Sequence, residues 1–75
     1  MNCQAVLFKV SDWDTYDCRN FLKSHNIIPL KRVHVPKNDI YYRYRIIQPN
    51  YEKYLYRTKT IQKKPLIKFI LQYNK

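Results

Sequence analysis

Not one of the 75 residues is glycine, and that absence constrains the fold more than any other feature of the chain. Glycine enters left-handed backbone conformations at no steric cost, so tight hairpin turns and helix ends ordinarily rely on it. Here Asn, Asp and Pro have to supply every reversal. The places where they can do so are Asn26, Pro36-Lys37-Asn38-Asp39, Pro49-Asn50 and Gln62-Lys63-Lys64-Pro65. These punctuate the chain into short segments whose periodicity can be read one at a time.

Cys3 to Val10 reads as a strand, with Val6, Phe8 and Val10 on one face, Ala5 and Leu7 on the other, and both faces covered. Ser11 to Asp14 has the chemistry of a helix start, Ser11 as cap and Asp14 three residues on. Asp12, Asp14 and Asp17 there suit the positive end of the helix dipole. The helix is expected to run to about His25, with Cys18, Phe21, Leu22 and His25 on its buried face and Asn26 ending it in a left-handed conformation. After the apolar connector Ile27-Ile28-Pro29, a hairpin is predicted from Lys31–Val35 and Ile40–Ile47 around the turn at Pro36–Asp39. In the second of these strands Ile40, Tyr42, Tyr44 and Ile46 alternate with Tyr41, Arg43, Arg45 and Ile47; the first set is expected to pack on the helix and the second to face outward.

A short helical turn is expected over 50–54, with Glu52 and Lys53 outward. Tyr54 to Ile61 suits an extended arm or edge strand. Leu66 to Tyr73, with Ile67, Phe69, Leu71 and Tyr73 on one face, is assigned as a strand in preference to a short helix. The predicted class is α+β, one main helix packed on a small antiparallel sheet in the order β-α-β-β-(turn)-β, with residues 1–75 forming a single basic domain. A chain this short buries only about 60% of the surface its unfolded form exposes, so a few apolar side chains have to carry the core.

Charge is the second strong signal. Fifteen Lys and Arg face five Asp and Glu, for a formal +10. The first seventeen residues set Lys9 against Asp12, Asp14 and Asp17, leaving −2, whereas the remainder sets fourteen bases against Asp39 and Glu52, leaving +12. A balance this lopsided points to an acidic partner, the competing reading being a solvated surface that only keeps the chain soluble. The constellation singled out is Tyr41, Arg43 and Arg45 on the exposed face of a central strand, with Arg32 and His34 beside them on its hairpin partner. Arg57, Lys59, Lys63 and Lys64 would extend the stripe. Arg forks match phosphate oxygens, and tyrosine and arginine faces stack on bases; the competing reading is an edge whose charges block aggregation. Trp13 and Tyr16 lie off the buried helix face and are candidates for a protein interface, the favoured reading of Trp13 being that it staples the start of the helix to the sheet.

Other chemistries find little support. Cys3, Cys18, His25 and His34 have no paired metal-ligand spacing, so no metal or other cofactor is expected. A Cys18–His34 nucleophile pair would lack an orienting third group, and no glycine loop cradles a phosphate, so an enzyme is not expected. A signal peptide and a membrane-length apolar run are both missing, and two cysteines make no secreted framework. The expected setting is inside a cell, not secreted.

Taken together, Phe21-Leu22-Lys23-Ser24-His25, Tyr42-Arg43-Tyr44-Arg45, Arg57-Thr58-Lys59-Thr60-Ile61 and Leu66-Ile67-Lys68-Phe69-Ile70 make the chain resemble a group of short basic proteins encoded by large DNA viruses and some bacteriophages. Those proteins share an F-L-K-x-H-like helix end, an R-x-R strand and an R-T-K-x-I segment before a last apolar strand. The resemblance spans about residues 20 to 73. It departs at Lys64-Pro65 and Gln72, where the group has glycines flanking the last strand. It implies a viral origin, a setting in the cytoplasm or nucleus of a host cell or in a virion, and no enzyme activity to carry over. The expectation is therefore a non-enzymatic basic module contacting nucleic-acid backbone. The alternative is a minor virion structural or host-interaction protein whose basic face meets an acidic protein surface.

Overall fold

The computed structural model describes residues 2–30 and 40–75. It contains β1 (Asn2–Lys9), α1 (Thr15–Ser24), β2 (Tyr41–Arg45), β3 (Tyr54–Ile61) and β4 (Ile67–Asn74). The strands form one sheet in the order β2-β1-β4-β3, every neighbouring pair antiparallel. The fold is α+β, with one helix on a four-stranded sheet, as the periodicities predict. The order of the strands is not the expected one. β2 is not central: β1 and β4 take the middle, and β2 and β3 lie at the two ends of the described sheet. The first strand of the expected hairpin, Lys31–Val35, and its turn at Pro36–Asp39 lie outside the described residues. Leu30 just before them donates its N–H to the Arg45 carbonyl at 2.8 Å, on the edge of β2 turned away from β1.

The helix starts three residues later than Ser11 suggests. Lys9 carbonyl accepts from both Asp12 N–H and Trp13 N–H at 3.0 Å, so Ser11 is spent in a turn that reverses the chain out of β1. Asp14 is the N-cap instead, accepting from Asp17 N–H at 2.7 Å, a contact worth about 1 kcal/mol to a helix. At the other end Asn26 does what glycine usually does, with φ of 58°. Asn26 N–H donates to Lys23 carbonyl and Ile27 N–H to Leu22 carbonyl, the paired closure that satisfies the last helical carbonyls. Ile27 also packs against the core that contains Leu22. A second asparagine makes the turn before β3. Asn50 carbonyl accepts from Lys53 and Tyr54 N–H, and its side-chain oxygen accepts from Lys53 N–H at 3.2 Å; Glu52 and Lys53 are exposed, as expected.

The core lies between α1 and one sheet face. Val6, Phe8, Cys18, Leu22, Tyr44 and Ile67 are buried there, with Trp13, Phe21, Tyr42, Ile46 and Phe69 packed around them. Phe8 is its hub. Its ring meets Trp13 at 4.8 Å, Tyr44 at 5.4 Å and Phe21 at 5.7 Å, each edge to face. Such pairs add about 0.5–1.5 kcal/mol each beyond the area they bury. His25, expected on the buried helix face, is exposed, its ring stacked on Phe21 at 4.2 Å.

A bulge between Cys3 and Ala5 sets the faces of β1. Cys3 pairs with Leu71 and Ala5 with Ile70, leaving Gln4 as the extra residue. Gln4 carbonyl accepts from Ile46 and Ile47 N–H, and its side-chain amide donates to Ile47 carbonyl at 2.8 Å. The bulge thus anchors the chain as it leaves β2.

Candidate functional site

Because paired residues in an antiparallel sheet share a face, the register divides every strand between the helix side and the opposite side, termed open because no described helix or strand lies over it. Val6 pairs with Tyr44 and Phe69, and Phe8 with Tyr42 and Ile67; these face the helix. On the open side, Arg43, Leu7, Lys68 and Thr60 form one row across all four strands. Arg45, Ala5, Ile70 and Thr58 form the next, and Tyr41 stands opposite Lys9 beyond the first row. By this register, no open-face position of the four strands is an aspartate or glutamate.

The open side therefore presents Lys9, Arg43, Arg45 and Lys68. Arg45 is exposed and the other three are half-buried. Arg43 and Lys68 are the cross-strand neighbours of Leu7, which is 7% exposed; long stems beside an apolar residue can cover it while their charged ends stay hydrated. Arg43 and Arg45 are two residues apart on one strand, about 6.8 Å, and Arg43 and Lys68 are two strands apart, about 10 Å. Lys68 also places its ammonium 4.6 Å from the centre of the Tyr41 ring, a cation–π contact that reaches from β4 to β2 across the intervening β1.

One end of this side is walled. Asn50 N–H donates to the Tyr56 hydroxyl at 2.8 Å, and that hydroxyl donates to Gln72 Oε1 at 2.9 Å. Tyr56 and Gln72 are register partners on the open side, so the turn at Asn50 is fastened over that end. Tyr51 in the same turn sets its ring 5.1 Å from Tyr56.

The residues singled out from sequence are thus sorted by the register. Tyr41, Arg43 and Arg45 share the open side as expected. Arg32 and His34 lie outside the described residues. Arg57 and Lys59 pair with Leu71 and Phe69, which puts them on the helix side of β3. They do not extend the open-side patch. Lys63 and Lys64 are exposed in the connection between β3 and β4, beside the end of the sheet where Lys9 N–H meets the Leu66 carbonyl. Lys9 and Lys68 were not among the residues singled out. Their signal is the alternation of β1 and β4, in which each falls out of phase with the core residues beside it.

Trp13 is a staple and not an exposed anchor. It is half-buried, its indole N–H donates to Leu66 carbonyl at 3.0 Å, and its ring meets Phe21 at 5.6 Å. Asp12 reinforces the same junction by accepting from Leu66 N–H at 2.9 Å. Tyr16 is 65% exposed on the helix.

Burial pushes the Cys18 thiol up to about 11, aided by the nearby Asp14 and Asp17, so it stays protonated at neutral pH and is a poor nucleophile. Burial likewise raises the Cys3 thiol. Among the described residues no group of three His, Cys, Asp or Glu could hold a metal ion, and no helix is long and apolar enough to cross a membrane. Compared with known protein families, curated proteins and solved structures, the chain matches none of them.

Proposed function

We propose that the protein is a small basic binding module whose open sheet side takes up the phosphate backbone of nucleic acid. The single observation behind this reading is the grouping of Lys9, Arg43, Arg45 and Lys68 on one side of a sheet with no acidic residue among them. Like charges gathered this closely repel one another, and a partner that neutralises them recovers that cost. Guanidinium forks suit phosphate oxygens, and neutralising phosphates releases condensed counterions, which makes the binding steeply salt-dependent. As part of the same proposal, the module is virus-encoded, has no catalytic role, and acts inside a cell or virion.

The test is a fluorescence-anisotropy titration of labelled oligonucleotides. Binding at about 50 mM salt that weakens by an order of magnitude or more at about 200 mM is the expected result. No binding at the lower salt overturns the reading.

A further inference from the structure

We infer that this side accommodates a single strand in preference to a duplex, with Tyr41 as a stacking platform; the inference rests on the nucleic-acid reading above. The first argument is shape. A major groove about 12 Å wide admits a helix or a two-stranded ribbon. Here the outer strands of the described sheet are separated by three inter-strand gaps, about 14 Å before side chains are added. The side is too broad to enter the groove and can meet a duplex only along a ridge. Its cations are spread in two dimensions: Arg43 and Arg45 on β2, Lys9 on β1 and Lys68 on β4. A flexible strand can fold onto such an array where a rigid cylinder reaches only part of it.

The second argument is the helix. It would be the natural groove reader, but Asp14 caps it and Asp17 lies in its first turn, with Asp12 just before. These carboxylates repel phosphates from the end of the helix that commonly approaches DNA.

The third is aromatic. The half-buried Tyr41 ring carries the Lys68 ammonium at 4.6 Å, so a cation already sits against its π-face. In a single strand the bases are free to stack on such a face, whereas in a duplex they are already stacked on one another. A base on Tyr41 displaces Lys68 toward the adjoining phosphate, and Arg43, in the next row, takes a neighbouring one. The walled end at Asn50, Tyr51 and Tyr56 limits how far the strand runs along the sheet.

The experiment compares an oligothymidylate with a duplex of the same length, about 16 residues, on the unmodified protein and on Tyr41→Ala and Tyr41→Phe. The expected results are at least tenfold tighter binding of the single strand and a loss of fivefold or more in Tyr41→Ala for the single strand alone, with Tyr41→Phe close to the parent, these sizes being on the order of one stacked base. Equal or tighter duplex binding overturns the single-strand inference and leaves the polyanion reading standing, as does an equal loss for both ligands in Tyr41→Ala. Binding of neither ligand at low salt overturns both. The affinity ratio on the unmodified protein decides the matter even if Tyr41→Ala fails to fold.

Discussion

The two sides of one sheet are built from the same residue types and do opposite work. On β2, Tyr42 and Tyr44 turn toward the helix, where Tyr44 is 3% exposed and meets Phe8 edge to face. Tyr41, Arg43 and Arg45, interleaved with them, turn to the open side. On β4, Ile67 is buried in the core, whereas Lys68 beside it reaches the Tyr41 ring. Over β1 and β2 the helix side is closed by shape, ring against ring, whereas Arg57 and Lys59 on β3 lie exposed beyond the core. The open side is a half-buried layer of stems capped by positive charge. What the comparison teaches is that tyrosine content says nothing about function by itself: strand parity decides whether a tyrosine is core or surface.

If that division is right, substitutions on the two sides should fail differently, and the largest effect belongs to the helix side. Phe8→Ala removes the hub of the aromatic cluster and should cost about 3–5 kcal/mol. In a domain whose total stability is on the order of 5–15 kcal/mol, urea unfolding followed by circular dichroism would then show a midpoint moved to much lower urea, and a protein partly unfolded without urea if the parent lies at the low end of that range. A loss below about 1 kcal/mol would mean that the cluster is not the core.

The next effect is on pH. Burial pushes Cys18 up to about 11 and Tyr44 to about 12, against ordinary values of 9.0 and 10.0. Both acids are held neutral by folding, so their contribution is fully present below about pH 9 and is lost as pH rises through 11 toward 12. Thermal midpoints should be flat from neutral to about pH 9 and fall steadily above it. The decline should be shallower in Cys18→Ala, measured relative to that variant's own midpoint at pH 7. A curve of the same steepness in the variant would contradict the assignment.

Smaller still is Tyr44→Phe at neutral pH. Among the described residues the buried Tyr44 hydroxyl has no well-formed hydrogen bond, and its polar neighbour is the weakly polar Cys18 thiol. Deleting it should change stability by less than about 1 kcal/mol in either direction. A large loss would show that the hydroxyl is in fact paired.

Much of this was legible in the sequence, because it depends on local periodicity. The alternation over Ile40–Ile47 and Leu66–Tyr73 put Tyr44 and Ile67 on the core side, and the lack of glycine marked Asn26 as the helix end. What failed was non-local or depended on a choice between equals. Ser11 and Asp14 are equally good caps; the turn hydrogen-bonded to Lys9 selects Asp14. Alternation puts Arg57 and Lys59 on one face of β3, yet only their pairing with Leu71 and Phe69 shows that this is the helix side. Lys9 and Lys68 joined the patch because β1 and β4, from opposite ends of the chain, are neighbours. No local pattern encodes that pairing, and the bulge at Gln4 that shifts its register was equally invisible.

The most direct test of the open side is the salt dependence of single-strand binding by Arg43→Gln/Arg45→Gln against the parent protein. Arg45 is exposed and Arg43 half-buried; Gln keeps most of each stem, and a thermal midpoint measured on the double variant separates a loss of contact from a loss of folding. If both guanidiniums meet phosphates, the slope of log affinity against log salt should become shallower by about 1.4, two contacts at about 0.7 each. An unchanged slope and affinity in a folded double variant would mean that the positive side of the sheet is not where the polyanion binds.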